Sequence, residues 1–380
     1  MELSFYVHIP YCVKRCGYCD FNTYTPAELQ ISTGLTQISN SYIDLLIAEI
    51  DLAKAQVGDA TVPTIFFGGG TPSLMEPTDI GRVISAIDSK FGLTQDCEIT
   101  LETNPDTVDK EKLAAFKAAG INRISFGMQS AVPHVLTTLD RTHNPDNLPQ
   151  VTKWAAEVGF KDVSVDLIYG TPGESLNDWQ KSIDAALSLP INHISAYALI
   201  VEEGTKLANA IKRGEIANVD DDLTAEKYLM ADAAFSKAGF TWYELSNWSK
   251  SSGESKHNIA YWLNKNWWGA GPGAHSHING RRWWNVKHPN LYREKLQQSI
   301  SPELDSEVLE PIQIESERLM LSIRLPEGIT KESLTADQIM SLDQYLQSGA
   351  LDSTKWDAGS VSLTLNGRLI ADRIVREILL

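Results

Sequence analysis

Hydrophobic and polar positions fall into two alternating patterns over the first two hundred residues. Short apolar runs rich in β-branched and aromatic residues predict buried strands at Leu3–Ile9, Thr64–Phe67, Glu98–Glu102, Arg123–Phe126, Asp162–Leu167 and His193–Ala198. Between them, helical spacing predicts helices over Tyr42–Gln56, Asp79–Lys90, Lys110–Ala119, Leu148–Val158 and Ser175–Leu189. Alternation of this kind builds βαβ units around a parallel sheet. Six strands are too few for a closed eight-stranded barrel, so the expected fold class is α/β, an open partial (β/α)6 barrel.

Polar and glycine-rich residues gather just after the strands. Cys12, Cys16 and Cys19 follow the first, and Gly68-Gly69-Gly70-Thr71-Pro72 the second. Glu102-Thr103-Asn104-Pro105 ends the third, Gly127-Met128-Gln129 the fourth, and Asp166 with Gly170-Thr171-Pro172-Gly173 the fifth. Ligands of parallel α/β folds bind at the carboxyl ends of strands, so these separate segments point to one site.

The alternation stops near residue 200. A helix is expected within Asn218–Gly239, followed by an irregular aromatic stretch that holds seven of the ten tryptophans, between Trp242 and Trp284. The tail opens with a helix around Ser316–Ile323 and closes with a strand-like Ser360–Leu365, an Asn366-Gly367 turn and a helix to Leu380. The chain thus divides into a barrel over 1–200, an additional α+β region over 201–310 and a C-terminal winged-helix-like module over 311–380.

Composition narrows the function. A formal net charge of −16 repels nucleic-acid backbones and anionic headgroups, so no nucleic-acid partner is expected. The longest apolar runs, such as Ile194–Val201, are too short for a membrane span, and the first residues lack a signal peptide's pattern. Only four cysteines are present, three of them within eight residues, which points to metal binding in a reducing, cytoplasmic setting. The fourth, Cys97, sits just before a predicted strand and reads as a buried structural thiol.

Cys12-x3-Cys16-x2-Cys19 offers three thiolates from one loop. A four-iron cubane needs four ligands, so three cysteines leave one iron open to a small chelating molecule. The alternative is structural zinc with His8 as fourth ligand, although zinc knuckles ordinarily come in pairs. The spacing resembles the signature of the radical SAM superfamily, which implies a 4Fe-4S cluster whose open iron binds S-adenosyl-L-methionine (SAM).

Finer features resemble one branch of that superfamily, which contains oxygen-independent coproporphyrinogen III dehydrogenase and the HemW heme chaperones. They are Tyr6-x-His8-Ile9-Pro10-x-Cys12, the Gly68–Pro72 loop and Asp166-Leu167-Ile168-Tyr169-Gly170. The resemblance implies that Tyr6 and Tyr18 flank the cluster and SAM. Gly69, Gly70 and Thr71 would form the loop that meets the methionine amino group, and Glu102 would bond the ribose or amine. Gln129, Arg141 and Asp166 would line the same cavity. Read alone, the glycines suit a tight turn, and Arg141 suits an ion pair with Asp140 or Glu157.

Three features separate the two relatives. Phe21 stands where the dehydrogenase resembles a fourth cysteine, which argues against decarboxylase activity. The chain begins almost at its first strand, without that enzyme's N-terminal extension. His257-Asn258-x-x-Tyr261-Trp262 resembles the HNxxYW motif of the chaperones. The resemblance then implies a heme chaperone with His257 as heme ligand, Asn258 fixing its tautomer or meeting a propionate, and His275, His277 and His288 as weaker candidates. Recipient hemoproteins, including membrane-bound respiratory enzymes, are the implied partners. The alternative function is the oxidative decarboxylation of coproporphyrinogen III. Without the resemblance, His257 reads as a solvated loop residue and the tryptophans as core.

Overall fold

The computed structural model describes residues 1–30 and 35–379, with side chains described outside 31–40. The barrel elements alternate, with two helices between the fourth and fifth strands: β1 (Ser4–Ile9), α1 (Leu35–Val57), β2 (Val62–Gly69), α2 (Pro77–Phe91), β3 (Leu93–Thr103), α3 (Lys110–Ala118), β4 (Arg123–Gln129), α4 (Pro133–Thr138), α5 (Leu148–Val158), β5 (Asp162–Tyr169), α6 (Leu176–Leu187) and β6 (His193–Ala198). Local chemistry sets the boundaries. Pro77 opens α2, Asp109 caps α3, Ser175 and Asp178 form a capping box on α6, and Gly159 in the left-handed region closes α5.

Strands β1 to β6 pair in parallel, each with the next. Alternate residues face the helices and are apolar: Phe5, Val7, Ile65, Phe67, Leu101, Ile124, Phe126, Val165 and Ile194 are all buried. They share one core with α1, α2, α5 and α6. The opposite face is polar, and Thr100, Glu102, Arg123, Ser125, Ser164, Asp166, His193 and Ser195 line a cavity.

The aromatic stretch is more regular than its sequence predicts. After α7 (Lys206–Lys212) and α8 (Asp221–Lys237) come β7 (Thr241–Glu244), β8 (Asn247–Ser249), α9 (Lys256–Trp262), β9 (Trp267–Ala270), β10 (His275–Ile278), β11 (Arg281–Asn285), α10 (Pro289–Gln297) and β12 (Glu303–Val308). These strands extend the barrel sheet at both edges into twelve strands, in the order β12-β11-β10-β9-β1-β2-β3-β4-β5-β6-β8-β7. Strand β9 adds to β1 in parallel and β8 to β6 antiparallel. Trp242, Trp248, Trp268 and Trp283 are core residues.

The tail has its own small core of Leu319, Ile323, Leu342, Tyr345, Val361 and Ile374. The strand-like segment is shorter than expected: Ser360–Val361 pairs with Ile329–Thr330, and Leu363 makes a single antiparallel bridge to Leu351. Asn366 and Gly367 do not form a turn but lie in a one-turn helix, Leu365–Leu369, which Thr364 caps with its side chain. A further helix, Ala371–Leu379, follows.

One buried carboxylate ties α1 to the loop beside the cavity. Glu49 accepts hydrogen bonds from Gly271 N–H (2.8 Å), Asn285 Nδ2 (2.7 Å) and the Tyr292 hydroxyl. Burial pushes its pKa up to about 7. Replacing it with an apolar residue strands these buried donors, at about 1–3 kcal/mol each. Glu49→Leu is therefore expected to destabilise the protein by about 3 kcal/mol or more, and Glu49→Gln by less. Thermal and denaturant unfolding check this ranking.

Candidate functional site

The first cysteine follows β1 almost directly. Cys12 N–H bonds Tyr24 O (3.0 Å) and Gly17 N–H bonds Leu139 O (3.0 Å), which anchors the cysteine loop at both sides. Cys12 is buried, and Cys16 and Cys19 are partly exposed. Donors aim at the sulfurs, among them Thr71 Oγ1 at Cys12 Sγ (3.7 Å) and Arg141 Nη1 at Cys16 Sγ (3.3 Å). Burial raises the Cys12 thiol and pushes Cys19 up to about 11, so these thiols hold their protons until a cation displaces them. Three thiols beside hydrogen-bond donors fit an iron–sulfur cluster, whose potential such donors tune. His8, the fourth donor of the zinc alternative, is committed elsewhere. Its Nε2–H bonds Asn22 O (2.9 Å), and its Nδ1 accepts from the Tyr6 hydroxyl (3.0 Å). Among the described residues, no three His, Cys, Asp or Glu side chains converge on a single-ion site.

The glycine loop is packed against this segment. Gly70 N–H bonds Ile9 O (2.7 Å) and Thr71 N–H bonds Tyr11 O (2.8 Å). A Cβ on Gly70 would lie 2.5 Å from Tyr11 O, and one on Gly69, whose φ is +110°, would lie 2.5 Å from the His8 ring. A larger residue would press on the His8 ring at Gly69 and on the backbone leading into the cysteine loop at Gly70.

Glu102 accepts from Gly69 N–H (3.1 Å), and Asp166 accepts from the Ser125 hydroxyl (2.9 Å). Burial, and then the neighbouring Asp166, push Glu102 up to about 8, and burial raises Asp166 as well. Gln129 is buried with φ at +61°, a costly conformation for a residue with a side chain, next to a bulge in β4. Arg141 pairs with neither Asp140 nor Glu157, whose partners are lysines: Lys14 and Lys206 for the first, Lys110 and Lys153 for the second. Its guanidinium instead reaches Cys16, Gly127 O (3.3 Å) and His143 Nδ1 (3.3 Å).

The HNxxYW segment is not a solvated loop. It forms α9, capped by Ser255, and Glu98 accepts from Lys256 N–H (3.1 Å), His257 N–H (3.0 Å) and the Ser255 hydroxyl (3.3 Å). His257 is buried and stacks on Phe66, with ring centroids 5.1 Å apart. Thr64 donates to Ser4 (2.9 Å), so its oxygen accepts from His257 Nδ1–H (2.7 Å), and His257 Nε2 accepts from the Tyr261 hydroxyl (2.9 Å). Burial lowers this imidazole to about 3, so it is neutral. Thr64 and Tyr261, and not Asn258, hold the ring.

One cavity of about 880 Å³ collects these groups. Its lining includes Tyr6, Cys12, Cys16, Tyr18, Cys19, Gly69, Gly70, Thr71, Glu102, Gln129, Arg141, Asp166, His257, Asn258 and His275. His277 and His288 lie outside it. The first bonds Lys265 O (3.2 Å) and Gly280 N–H (3.2 Å), and the second caps α10 through Asn290 N–H (3.1 Å). Cys97 lies within β3, not before it, and burial pushes its thiol up to about 12. The sequence reading missed Arg123, Ser125, Ser164, His193 and Ser195, which also line the cavity. Their signal was the period of two in Arg123-Ile124-Ser125-Phe126 and Ser164-Val165-Asp166-Leu167.

Residues 6–186 match the family model of the radical SAM superfamily. The chain is 44% identical over 374 residues to "Heme chaperone HemW" of Mycobacterium tuberculosis (strain ATCC 25618 / H37Rv), covering 98% of this chain and 94% of the relative. It is 34% identical over 378 residues to the protein of that name from Bacillus subtilis (strain 168), covering 98% and 97%. The solved structure of coproporphyrinogen III oxidase (HemN) from Escherichia coli, described as a radical SAM enzyme, shares its fold. The TM-score is 0.84 at 20% identity, over 99% of this chain and 90% of that one.

The raised pKa of Glu102 sets a pH dependence. The folded protein holds its proton up to about pH 8, whereas an unfolded glutamate releases it near 4.5. The stability this contributes is complete below the unfolded value and is lost as pH rises through the folded one, at about 1.4 kcal/mol per pH unit within the window. The cofactor-free Glu102→Gln variant is expected to gain stability over the native protein as pH rises from 6 to 8. Parallel unfolding curves across that range that never diverge would count against the assignment.

Proposed function

Because this chain belongs to the radical SAM superfamily and, within it, to the HemW heme chaperones, we propose that it binds heme and delivers it to heme-dependent proteins. The observation that carries this reading is a full-length match to that family, joined to a single cavity that holds the three cysteines, the glycine turn and the HNxxYW helix.

Cys12, Cys16 and Cys19 would hold a 4Fe-4S cluster, and Thr71 and Arg141 would donate to its sulfurs. When bound, the cluster supplies an electron to the sulfonium of SAM. Tyr6, Tyr18, Gly69, Gly70, Gln129 and Asp166 would shape the SAM pocket, with Glu102 offering a carboxylate to the ribose or amine. The cationic amine of SAM would favour the ionised form of Glu102, which burial disfavours. The three-part division at residues 200 and 310 belongs to the same proposal.

Recipients are hemoproteins, membrane-bound respiratory enzymes among them. Among the described residues, no helix is long and apolar enough to cross a membrane. The closely spaced thiols call for a reducing compartment, so the proposed location is the cytoplasm. The likeness to the Escherichia coli oxidase is one of fold, and Phe21 stands where the dehydrogenase is expected to carry a fourth cysteine.

The test begins with the full chain reconstituted with iron and sulfide without oxygen. Hemin is titrated by its Soret band, and the loaded protein is mixed with a heme-free hemoprotein whose activity reports transfer. The expected result is saturable one-to-one binding followed by recovered recipient activity. A Cys12→Ala, Cys16→Ala, Cys19→Ala triple variant is expected to lack labile sulfide. Zinc without sulfide in the native protein would remove the cluster from the reading. Absence of saturable hemin binding would remove the chaperone, and decarboxylation of coproporphyrinogen III would then be assayed.

A further inference from the structure

The place of the cargo follows from side chains that the chaperone reading, on which this inference rests, leaves unused. Histidine ligates heme iron through a nitrogen lone pair, so the ligand needs a ring nitrogen free of other bonds. Four described histidines line the cavity: His8, His193, His257 and His275. His8 and His257 have both ring nitrogens hydrogen-bonded. His193 keeps Nδ1 without a hydrogen-bond partner, but it is buried deep on β6, away from solvent, with Nε2 against the Tyr243 hydroxyl (2.7 Å). His275 is different. It is exposed at the start of β10, neither of its ring nitrogens is hydrogen-bonded among the described residues, and its ring stacks on Trp284 at 25° with centroids 5.8 Å apart. Partial burial and the charge of Lys287 hold its pKa below the ordinary value, which keeps it neutral at pH 7.

The surroundings of His275 suit a flat, apolar, doubly anionic ring. Asn22 Nδ2 donates to both Pro272 O and Lys287 O (2.9 Å each), which fastens the approach to β10 onto the loop carrying Phe21. Phe21, Val13 and Ile200 also line the cavity, yet they are 62%, 67% and 69% exposed. Three large apolar side chains held in water around one opening mark a binding face. Lys287 enters no ion pair among the described residues, and so keeps its charge for an anion.

We propose that heme docks across the mouth of the cavity, with its iron on a ring nitrogen of His275, a porphyrin face on Phe21, Val13 and Ile200, and a propionate at Lys287. Aromatic and aliphatic side chains pack well on a porphyrin, and an ammonium pairs with a carboxylate at the rim. His257 then acts as a positioning residue that fixes α9 against β2.

The experiment is a hemin titration of the reconstituted full chain, run in parallel with metal-free protoporphyrin IX. His275→Ala is expected to lose the histidine-ligated Soret spectrum and to weaken hemin by about tenfold or more, a change of about 1.4 kcal/mol. Added imidazole should restore the spectrum, while affinity for metal-free protoporphyrin IX stays unchanged. His257→Ala is expected to keep the native hemin spectrum. Ile200→Glu should weaken hemin and metal-free porphyrin alike. A His275→Ala protein with native spectrum and affinity would overturn the proposal, all the more if His257→Ala lost both, and would leave the chaperone reading standing. No saturable hemin binding by the native chain would overturn both.

Discussion

An open barrel of parallel strands must satisfy two unpaired edges without closing its lumen. Six strands cannot meet round a circle at the ordinary tilt, so β1 and β6 each expose a row of backbone donors and acceptors. This chain covers them with its own later segments, β9 on β1 and β8 on β6. Those two pairings bring the segment between them, α9, back across the polar face. Glu98 on β3 then captures the start of α9 with hydrogen bonds from Lys256, His257 and Ser255. The cavity stays open because its walls are polar and cannot collapse on one another as an apolar core would.

The lumen is costly ground for charge. Glu102 and Asp166 face one another's fields in a buried site, and both are raised. Arg141 is the counterweight, yet its donors are spent on Cys16, Gly127 O and His143. Burial therefore favours the protonated forms of Cys19 and Glu102 until cationic groups arrive. Metal and a positively charged cofactor would replace those protons, so loading the site and lowering its pKa values are one event. Loading also relieves the cost of burial, and stability and occupancy are linked through the same groups.

Much of this could be read from residue order, and the reasons differ by region. The positions of β1 to β6 were legible because their helix-facing residues form apolar runs with helical stretches between them, although β3 begins at Leu93 and not at the expected Glu98, its first residues being mostly polar. The cysteine loop and Gly68–Pro72 were legible because few other residues fit where Gly69 and Gly70 sit. The lumen was only partly legible. Arg123, Ser125 and His193 alternate with core residues, and an eye set on continuous apolar strands passes over them. The edge strands β7 to β12 were not legible. Their tryptophans are short-strand residues whose pairing partners lie far away in sequence, such as Trp267 beside Ser4. The surroundings of His257 were hidden for the same reason: Thr64 and Glu98 come from β2 and β3, and nothing local announces them.

Depth in the cavity divides the histidines by what each can do. A carrier must hold its cargo and then release it, and release is slow where it requires many bonds to break together. Freeing Nε2 of His257 for iron would cost the Tyr261 bond, disturb the Phe66 stack and strain a helix start that Glu98 holds by three donors. Every later departure would reverse those changes. His275 asks for none of them, because its nitrogens are unspent and its neighbours already stand in water. Cargo on His275 can pass to a recipient at the mouth while the cluster loop, the glycine turn and α9 keep their places. The buried network then gives the opening its shape, and the exposed rim does the exchanging.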